Sequence, residues 1–591
     1  MIKLKFIAGT LLGLTALLAS SAAFAQDAPI DISPPGGLTE LPRNQTLILA
    51  NGGAETIGIT NPWVIPGYTH QTGNAFMWEP LMYFGIYSDE YIPWLAESME
   101  YTSDDFTTLE IKLNPLAEWS DGTPVTAADV IYTFDGQAKD GKLPYHAAFE
   151  QFYESATAKD DHTVEVKFKI PAPRFKFEVL CLKFDTGIPI VPAAWLSAQA
   201  DYTTAVGSTE IPHSGPYDLI AWNATQKVYE LREGWWAVKA GLISEPAVKR
   251  IIIANLANVP MDLVAQRVTN NEFDATLDMR AQVIGNILAQ NPKVQSWTGN
   301  ESPYGYLDWW PNSLWMNTQI EPYSDPNVRK AMSLSINRDQ INDVLYDGAK
   351  IATIYPFPLY PGLQKFADSE AVKALEAQYN PGEFNLDKSA ELMTAAGFVK
   401  NGDGMWEKGG KTINATINGF EGIHGDIVPV LVEQLRNGGF DAETNFGTDA
   451  YQNMADGKEG LYMFGHGASL QDPYAALELF HGRFSDAIGT TAGNNRFSRY
   501  KNPELDAVLD DAAMRGSDDP KFQEDLANAL GIYWRDTIDV PVIQWLHRIP
   551  YNTTYWTNWP SSTNPAMGTN GAFWAHTGLL VVAGLTPSGT N

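Results

Sequence analysis

The chain has 591 residues, one cysteine, and 70 acidic against 40 basic side chains, for a formal charge of −30. That charge argues against nucleic acid and anionic membrane surfaces as partners, and a lone cysteine excludes an intrachain disulfide framework. Two or three domains are expected at this length, with cores large enough to be stabilised by packing alone.

Residues 1–25 read as a secretory signal. Lys3 and Lys5 precede an apolar run from about Phe6 to Leu18, and Ala23-Phe24-Ala25 forms a small-residue cleavage site. The run is too short for a membrane span, and no other apolar stretch is long enough. No cysteine stands at the cleavage point, so the expected product is a periplasmic protein beginning at Gln26, without a lipid anchor. Residues 1–25 carry two lysines and no acid, which leaves the mature chain two charges more negative.

After a Pro/Gly-rich lead, "TLILAN" (46–51) reads as a strand, and "GNAFMWEPLMYFG" (73–85) as an amphipathic helix. "TTLEIKLNP" (107–115) and "HTVEVKFKI" (162–170) alternate as half-buried strands, and "EVLCLKF" around Cys181 suggests a buried thiol. Residues 215–236 predict a β-hairpin with a polar turn, and 248–256 a strand buried on both faces. Residues 260–278 predict a helix running into another strand. From about Leu314 the chain becomes helix-rich, with Asp325 as N-cap and Pro326 at the first helical position. "NLDKSAELMTAAGF" is a helix ended by Gly397, "NGDGMWEKGGKTINATIN" a hairpin turning at Asp403-Gly404, and 425–440 a helix leading into a strand. A last long helix (521–536) precedes the strand "VPVIQWL". Helices and strands alternate without repeats, which makes this an α/β protein.

One stretch raises the question of catalysis. "AEWSDGTPVTAADVIYTFDG" (117–136) concentrates Trp119, Ser120 and Asp121, but adjacent residues cannot form a nucleophile–base–orienter set, and no histidine is near. Asp121-Gly122 and Pro124 are turn chemistry, while Thr126 and Asp129 fit an N-cap and a capping-box variant. The stretch therefore reads as scaffold. "WSDGTPVTAADVIYTF" also resembles the signature of the family 5 extracellular solute-binding proteins of ABC transporters, which include oligopeptide, dipeptide, nickel and oligosaccharide receptors. "HSGPYDLIAW", the segment 325–358, "FNLDKSAELMTAAGF", "QDPYAALELF" and "RYKNPELDAVLDDA" follow in the family's order, so the resemblance covers essentially the mature chain.

The resemblance implies a two-lobed periplasmic-binding-protein fold of type II, cluster C-like, with an extra domain and a hinge. Lobe 1 would comprise 26–80, 212–313 and 546–591, the extra domain 81–211, and lobe 2 314–545. Ligand would be enclosed in the cleft between lobes, and the closed form read by an ABC permease in the inner membrane. A monomer without cofactor is expected.

Ligand class turns on particular residues. Peptide receptors of the family place an Asp where this chain has Ser469, ahead of Asp472-Pro473, and a serine cannot neutralise a buried ammonium. An aromatic residue is replaced by His466, which also raises the option of a metal chelate as in nickel receptors. Sugars need aromatic platforms and hydrogen-bonding side chains. With 18 tryptophans in the chain, the candidates are Trp63, Tyr68 and His70 after the first strand, Trp309, Trp310, Trp315 and Asn317 near the first crossing, and Trp545 with His547 near the return. For each tryptophan, core packing is the competing role. Arg280 is a further polar candidate, with a surface ion pair as its alternative. No H-E-x-x-H or EF-hand spacing occurs, so no metal is expected. The expectation is an oligosaccharide receptor without enzymatic activity. A peptide receptor of the same fold and a secreted glycosidase, which would need two carboxylates flanking a scissile bond, are the alternatives.

Overall fold

The structure is a computed structural model that describes residues 37–51, 59–63, 71–202, 211–256, 259–346, 351–467, 469–493 and 496–590. Tyr68 and His70 lie outside the described residues.

A four-stranded sheet is ordered Thr46–Asn51, Arg250–Asn255, Gln226–Leu231, Tyr217–Trp222. The outermost pair is parallel, Thr46 opposite Arg250, and the hairpin strands are antiparallel. Alternate residues of these strands enter two different cores, as a period of two requires. Ile48, Val228 and Ile252 pack with Val264 and Ile284 of the helices Met261–Thr269 and Ala281–Gln290. Leu47, Leu49, Tyr229, Ile251 and Ile253 enter the large core on the opposite face. The 248–256 strand expected to be buried on both faces is so.

A second sheet of five strands is ordered Asp441–Asn445, Asn414–Asn418, Leu461–Gly465, Asn312–Met316, Val540–Ile543. Leu314, Met316, Ile417 and Met463 face the helices Pro326–Leu334 and Ile427–Asn437. Asp325 caps the first of these by accepting from the Asn327 amide at 2.8 Å, with Pro326 at N1. The helix Leu386–Ala395 ends as expected beside Gly397, whose φ of +84° suits a residue without a Cβ. Between the two sheets the chain crosses twice, and the crossing strands Tyr306–Leu307 and Leu546–His547 pair antiparallel.

The third sheet, wholly antiparallel, is ordered Ala96–Tyr101, Thr108–Leu113, Thr163–Phe168, Tyr153–Asp160, with the helix Ala127–Lys139 against it. The motif at 117–136 serves this unit. Asp129 accepts from the Thr126 amide at 2.9 Å to close the capping box, and its second oxygen takes the Ala193 amide at 2.9 Å. Ser120 and His213 exchange hydrogen bonds that fasten the motif to the returning chain. Ser120, Asp121, Thr126 and Asp129 are all engaged in scaffold.

One sequence expectation fails. Residues 73–85 form no amphipathic helix: only Asn74–Phe76 makes a 3-10 turn, and Met82–Gly85 is a strand paired with Glu90–Pro93 and Cys181–Leu182. Pro80 lacks the amide a continuing helix would need, and the sheet partners that decide the matter lie up to a hundred residues away.

The tryptophan excess is largely structural. Thirteen of the eighteen are buried, so most of them cannot be platforms for a ligand. Trp94 and Trp236 show why indoles suit this interior: their Nε1 groups each donate at 2.7 Å to the fully buried Glu79 carboxylate, supplying partners that a buried acid requires. Cys181 is likewise buried, and burial pushes its thiol up to about 12. It should resist Ellman's reagent in the native protein and react fully in denaturant; fast native labelling would show that this core opens.

Candidate functional site

The carboxyl ends of sheet strands are where α/β folds assemble ligand sites. In the first lobe, Ala275 bridges Leu49 and Tyr551, and the chain continues to Asp278 and Arg280 beside the crossing strands. There Met279 donates its amide to the Arg548 carbonyl at 3.0 Å. This places Asp278, Asp308 and His547 together. His547 Nδ1 meets Asp278 Oδ2 at 2.5 Å, and Nε2 is bonded to Asp308 Oδ2. Burial opposes charge on the imidazole, but the two carboxylates prevail and hold its pKa up at about 10, so it is a cation at neutral pH. Burial raises the Asp308 pKa, and the imidazolium partly offsets this.

Aromatic rings enclose the triad. Phe184 lies 5.8 Å from His547, 5.4 Å from Trp574 and 5.9 Å from Trp309, measured between ring centroids. Trp574 stands edge-on to His547 at 5.0 Å. Phe184 follows the strand Cys181–Leu182 and adopts a φ of +31°, a backbone region costly for a residue with a Cβ. Its loop is pinned from below by the buried Lys183, whose Nζ donates to the Phe177 carbonyl at 2.6 Å and the Glu178 carbonyl at 3.1 Å. From above, the His576 amide donates to the Phe184 carbonyl at 2.8 Å.

Among the described residues, four buried polar atoms around this cluster have no hydrogen-bond partner: Asp278 Oδ1, Asp308 Oδ1, Trp574 Nε1 and Tyr306 OH. Unpaired buried polar groups are rare because each costs about 1–3 kcal/mol. The four belong to residues grouped around His547, two acceptors and two groups able to donate, the hydrogen-bonding types a polyhydroxylated ligand also offers.

Across the crossing, the second lobe presents another aromatic group. Trp310 stands edge-on to Phe464 at 4.6 Å and covers Gly465, where any Cβ would lie 2.1 Å from the indole. Phe420 joins Phe464 at 5.7 Å, with the exposed Tyr451 at 5.9 Å from Phe420. The His424 ring Nε2 pairs with Asn312 Oδ1 at 3.0 Å, and burial lowers its pKa to about 4, so this side of the crossing carries a neutral imidazole.

The sequence candidates separate sharply. Trp309, Trp310 and Trp545 are three of only five tryptophans left partly exposed, and all three flank the crossings. Arg280 reaches Asp426 of the second lobe, with Nε 3.7 Å from Oδ2 and both side chains more than half exposed. That contact spans the lobes, though an ion pair this solvated contributes little stability. Other candidates are committed to internal structure. Trp315 is fully buried, stacked 4.5 Å from His466, with Nε1 donating to the Phe464 carbonyl at 3.1 Å. His466 Nε2 is held by Ser313 and Asp539, each at 2.8 Å. Asn317 donates to the Gly457 carbonyl at 2.9 Å. The Ser469 hydroxyl accepts the Ala476 amide at 2.9 Å, and Asp472 accepts the Tyr474 amide at 2.9 Å. Trp63 is buried in the antiparallel domain against Tyr132, with ring centroids 5.6 Å apart. It lines a 690 Å³ cavity there, away from the crossings.

Asp278, Asp308, Phe184 and Trp574 were missed in the sequence. An acid in a chain with seventy acids carries no mark of burial, and Phe184 reaches the cluster only through a tertiary loop. Among the described residues, no group of three or more His, Cys, Asp or Glu side chains is placed to hold a metal ion, and no helix is long and apolar enough to cross a membrane.

Two α/β lobes joined by paired crossing strands, with a buried charged cluster ringed by aromatics at the crossing, match a hinged solute receptor. The chain belongs to the bacterial extracellular solute-binding proteins, family 5, whose model matches residues 90–486. These are substrate-binding receptors working with ABC permeases. The periplasmic oligopeptide-binding protein OppA of Salmonella typhimurium is 24% identical over 555 residues, covering 90% of this chain and 92% of that protein. Among solved structures, the mannohexaose-bound periplasmic oligopeptide-binding protein from Thermotoga maritima superposes with a TM-score of 0.75 at 22% identity, covering 93% of this chain and 100% of that one. NikZ from Campylobacter jejuni, in complex with Ni(L-His), superposes with a TM-score of 0.70 at 18% identity, covering 92% and 100%. These likenesses establish the type II periplasmic-binding-protein fold.

Proposed function

We propose that this protein captures an oligosaccharide between its lobes and delivers it intact to an inner-membrane ABC permease. What supports the reading is the grouping around His547 of Asp278, Asp308, Trp574 and Tyr306, each with a buried polar atom left unpaired among the described residues, beside the rings of Phe184 and Trp309. Pyranose rings offer apolar CH faces to indoles and hydroxyls to carboxylates. A protein of this fold with mannohexaose bound supports the reading. Trp309, Trp310 and Trp545 are assigned as ligand contacts, with Arg280 closing the rim. The domain limits given by the family resemblance, cleavage after residue 25, periplasmic location without a lipid anchor, and a monomer complete the reading.

A peptide ligand is the second reading. Several relatives are named for oligopeptides or dipeptides, and two carboxylates against one imidazolium leave the triad a net negative charge that an α-ammonium could match. Against it, the Ser469 hydroxyl is already engaged by the Ala476 amide. Calorimetric titration with manno- and gluco-oligosaccharides of two to six units, beside di- to pentapeptides, decides between them. Saturable heat with a sugar and none with peptides is expected; the reverse would overturn the assignment. Chromatography of the recovered sugar should show unchanged chain length, since shortened products would mean a hydrolase.

A further inference from the structure

Two residues of the antiparallel domain end on the second lobe. The Arg174 guanidinium donates to the carbonyls of Ala512 at 2.9 Å and Arg515 at 3.2 Å. It also lies 3.9 Å over the Tyr474 ring and 4.8 Å over that of Phe522. Ala512 lies in the last turn of the helix Pro503–Ala513 and Arg515 just beyond it. That end carries unsatisfied carbonyls and the negative pole of the dipole, where a guanidinium is favoured. Phe106, held at a φ of +58°, abuts Gly516, where a Cβ would come 2.8 Å from the phenyl Cζ. Nearby, Asp89 sits against Gly362, where a Cβ would come 2.9 Å from its Oδ1. None of these residues lies on the crossing strands or in the aromatic cluster of the site.

We propose that Arg174, with Phe106, is a positioning element that clasps the antiparallel domain onto the second lobe and sets how far the receptor stays closed. The inference rests on the hinged-receptor reading and adds that the third domain is part of the closing mechanism. These contacts exist only when the two surfaces meet. Losing them lowers the closed fraction, and the apparent affinity of any enclosed ligand falls by the same factor.

Small-angle scattering on the unliganded full chain tests this without a ligand. R174A and G516V should both increase the radius of gyration, and F106A/G516V should return it toward wild type because the lost phenyl makes room for valine. Curves for R174A and G516V superimposable on wild type would overturn the proposal. Hydrogen exchange separates clasp from scaffold. Protection should fall only at 101–106 and 503–516, whereas an equal fall through 163–168 and 520–536 would mark Arg174 as merely structural and refute the idea. Mannohexaose should dissociate from R174A several-fold faster than from wild type. No binding of mannohexaose or any other sugar to the wild type would defeat the oligosaccharide reading, while the scattering result would still judge the clasp.

Discussion

Replacing His547 by alanine should destabilise the protein by about 3–5 kcal/mol at neutral pH, because it leaves two carboxylates facing each other without the cation between them. Asp308 and His547 are both buried, at 4% and 8% exposure, so bulk water screens their charges poorly. The wild type should show a matching pH dependence. His547 is held at about 10 in the fold, against about 6.5 in an unfolded chain. A cation favoured by folding contributes fully below the unfolded value, and that contribution is lost as pH rises through the folded one. Urea midpoints should therefore decline between about pH 6.5 and pH 10, more steeply in the wild type than in H547Q. The amide of that variant can bond one carboxylate but does not titrate. Equal slopes in the two proteins would show that His547 is not a cation in the native state.

Trp309→Ala should weaken oligosaccharide binding at least tenfold while leaving thermal stability nearly unchanged. A buried stacking contact made by a central tryptophan is typically worth 2 kcal/mol or more, and a partly exposed indole leaves little cavity when removed. Trp315→Ala is the instructive contrast. That indole is fully buried among His466, Phe480 and Phe497, so its loss should cost about 3–5 kcal/mol of stability. Calorimetry and thermal melts on the two variants check both halves. If W309A binds as tightly as wild type, Trp309 is not a ligand platform, and the ring wall must be made by Trp574 and Phe184 alone.

The two variants differ by six positions in sequence and by everything in environment. "YLDWWPNSLWMN" announces three indoles and an acid near a lobe crossing, but the strand Asn312–Met316 is buried on both faces and carries Trp315 into the core, whereas Trp309 and Trp310 precede that strand and remain accessible. A similar limit applied to Ser469 and His466. Their positions relative to Asp472-Pro473 were readable, but their hydrogen bonds to Ala476 and Ser313 and the close approach of His466 to Asp539 were not.

Local chemistry was legible wherever a residue and its partner lie within a few positions. The Asp325-Pro326 helix start, the Thr126–Asp129 capping box, the Gly397 stop and the hairpin at 215–236 all depend on caps, turns and periodicity acting within one element. The family followed from several such segments in order. What the amino acids alone could not settle was which charges meet. Asp278, Asp308 and His547 are separated by as many as 269 residues, and the loop carrying Phe184 joins them from a separate sheet. Arg174 meets Ala512 across 338 residues. Burial, pairing and closure are properties of distant chain segments brought together, because desolvation and Coulomb energy depend on distance in space and not on position in sequence.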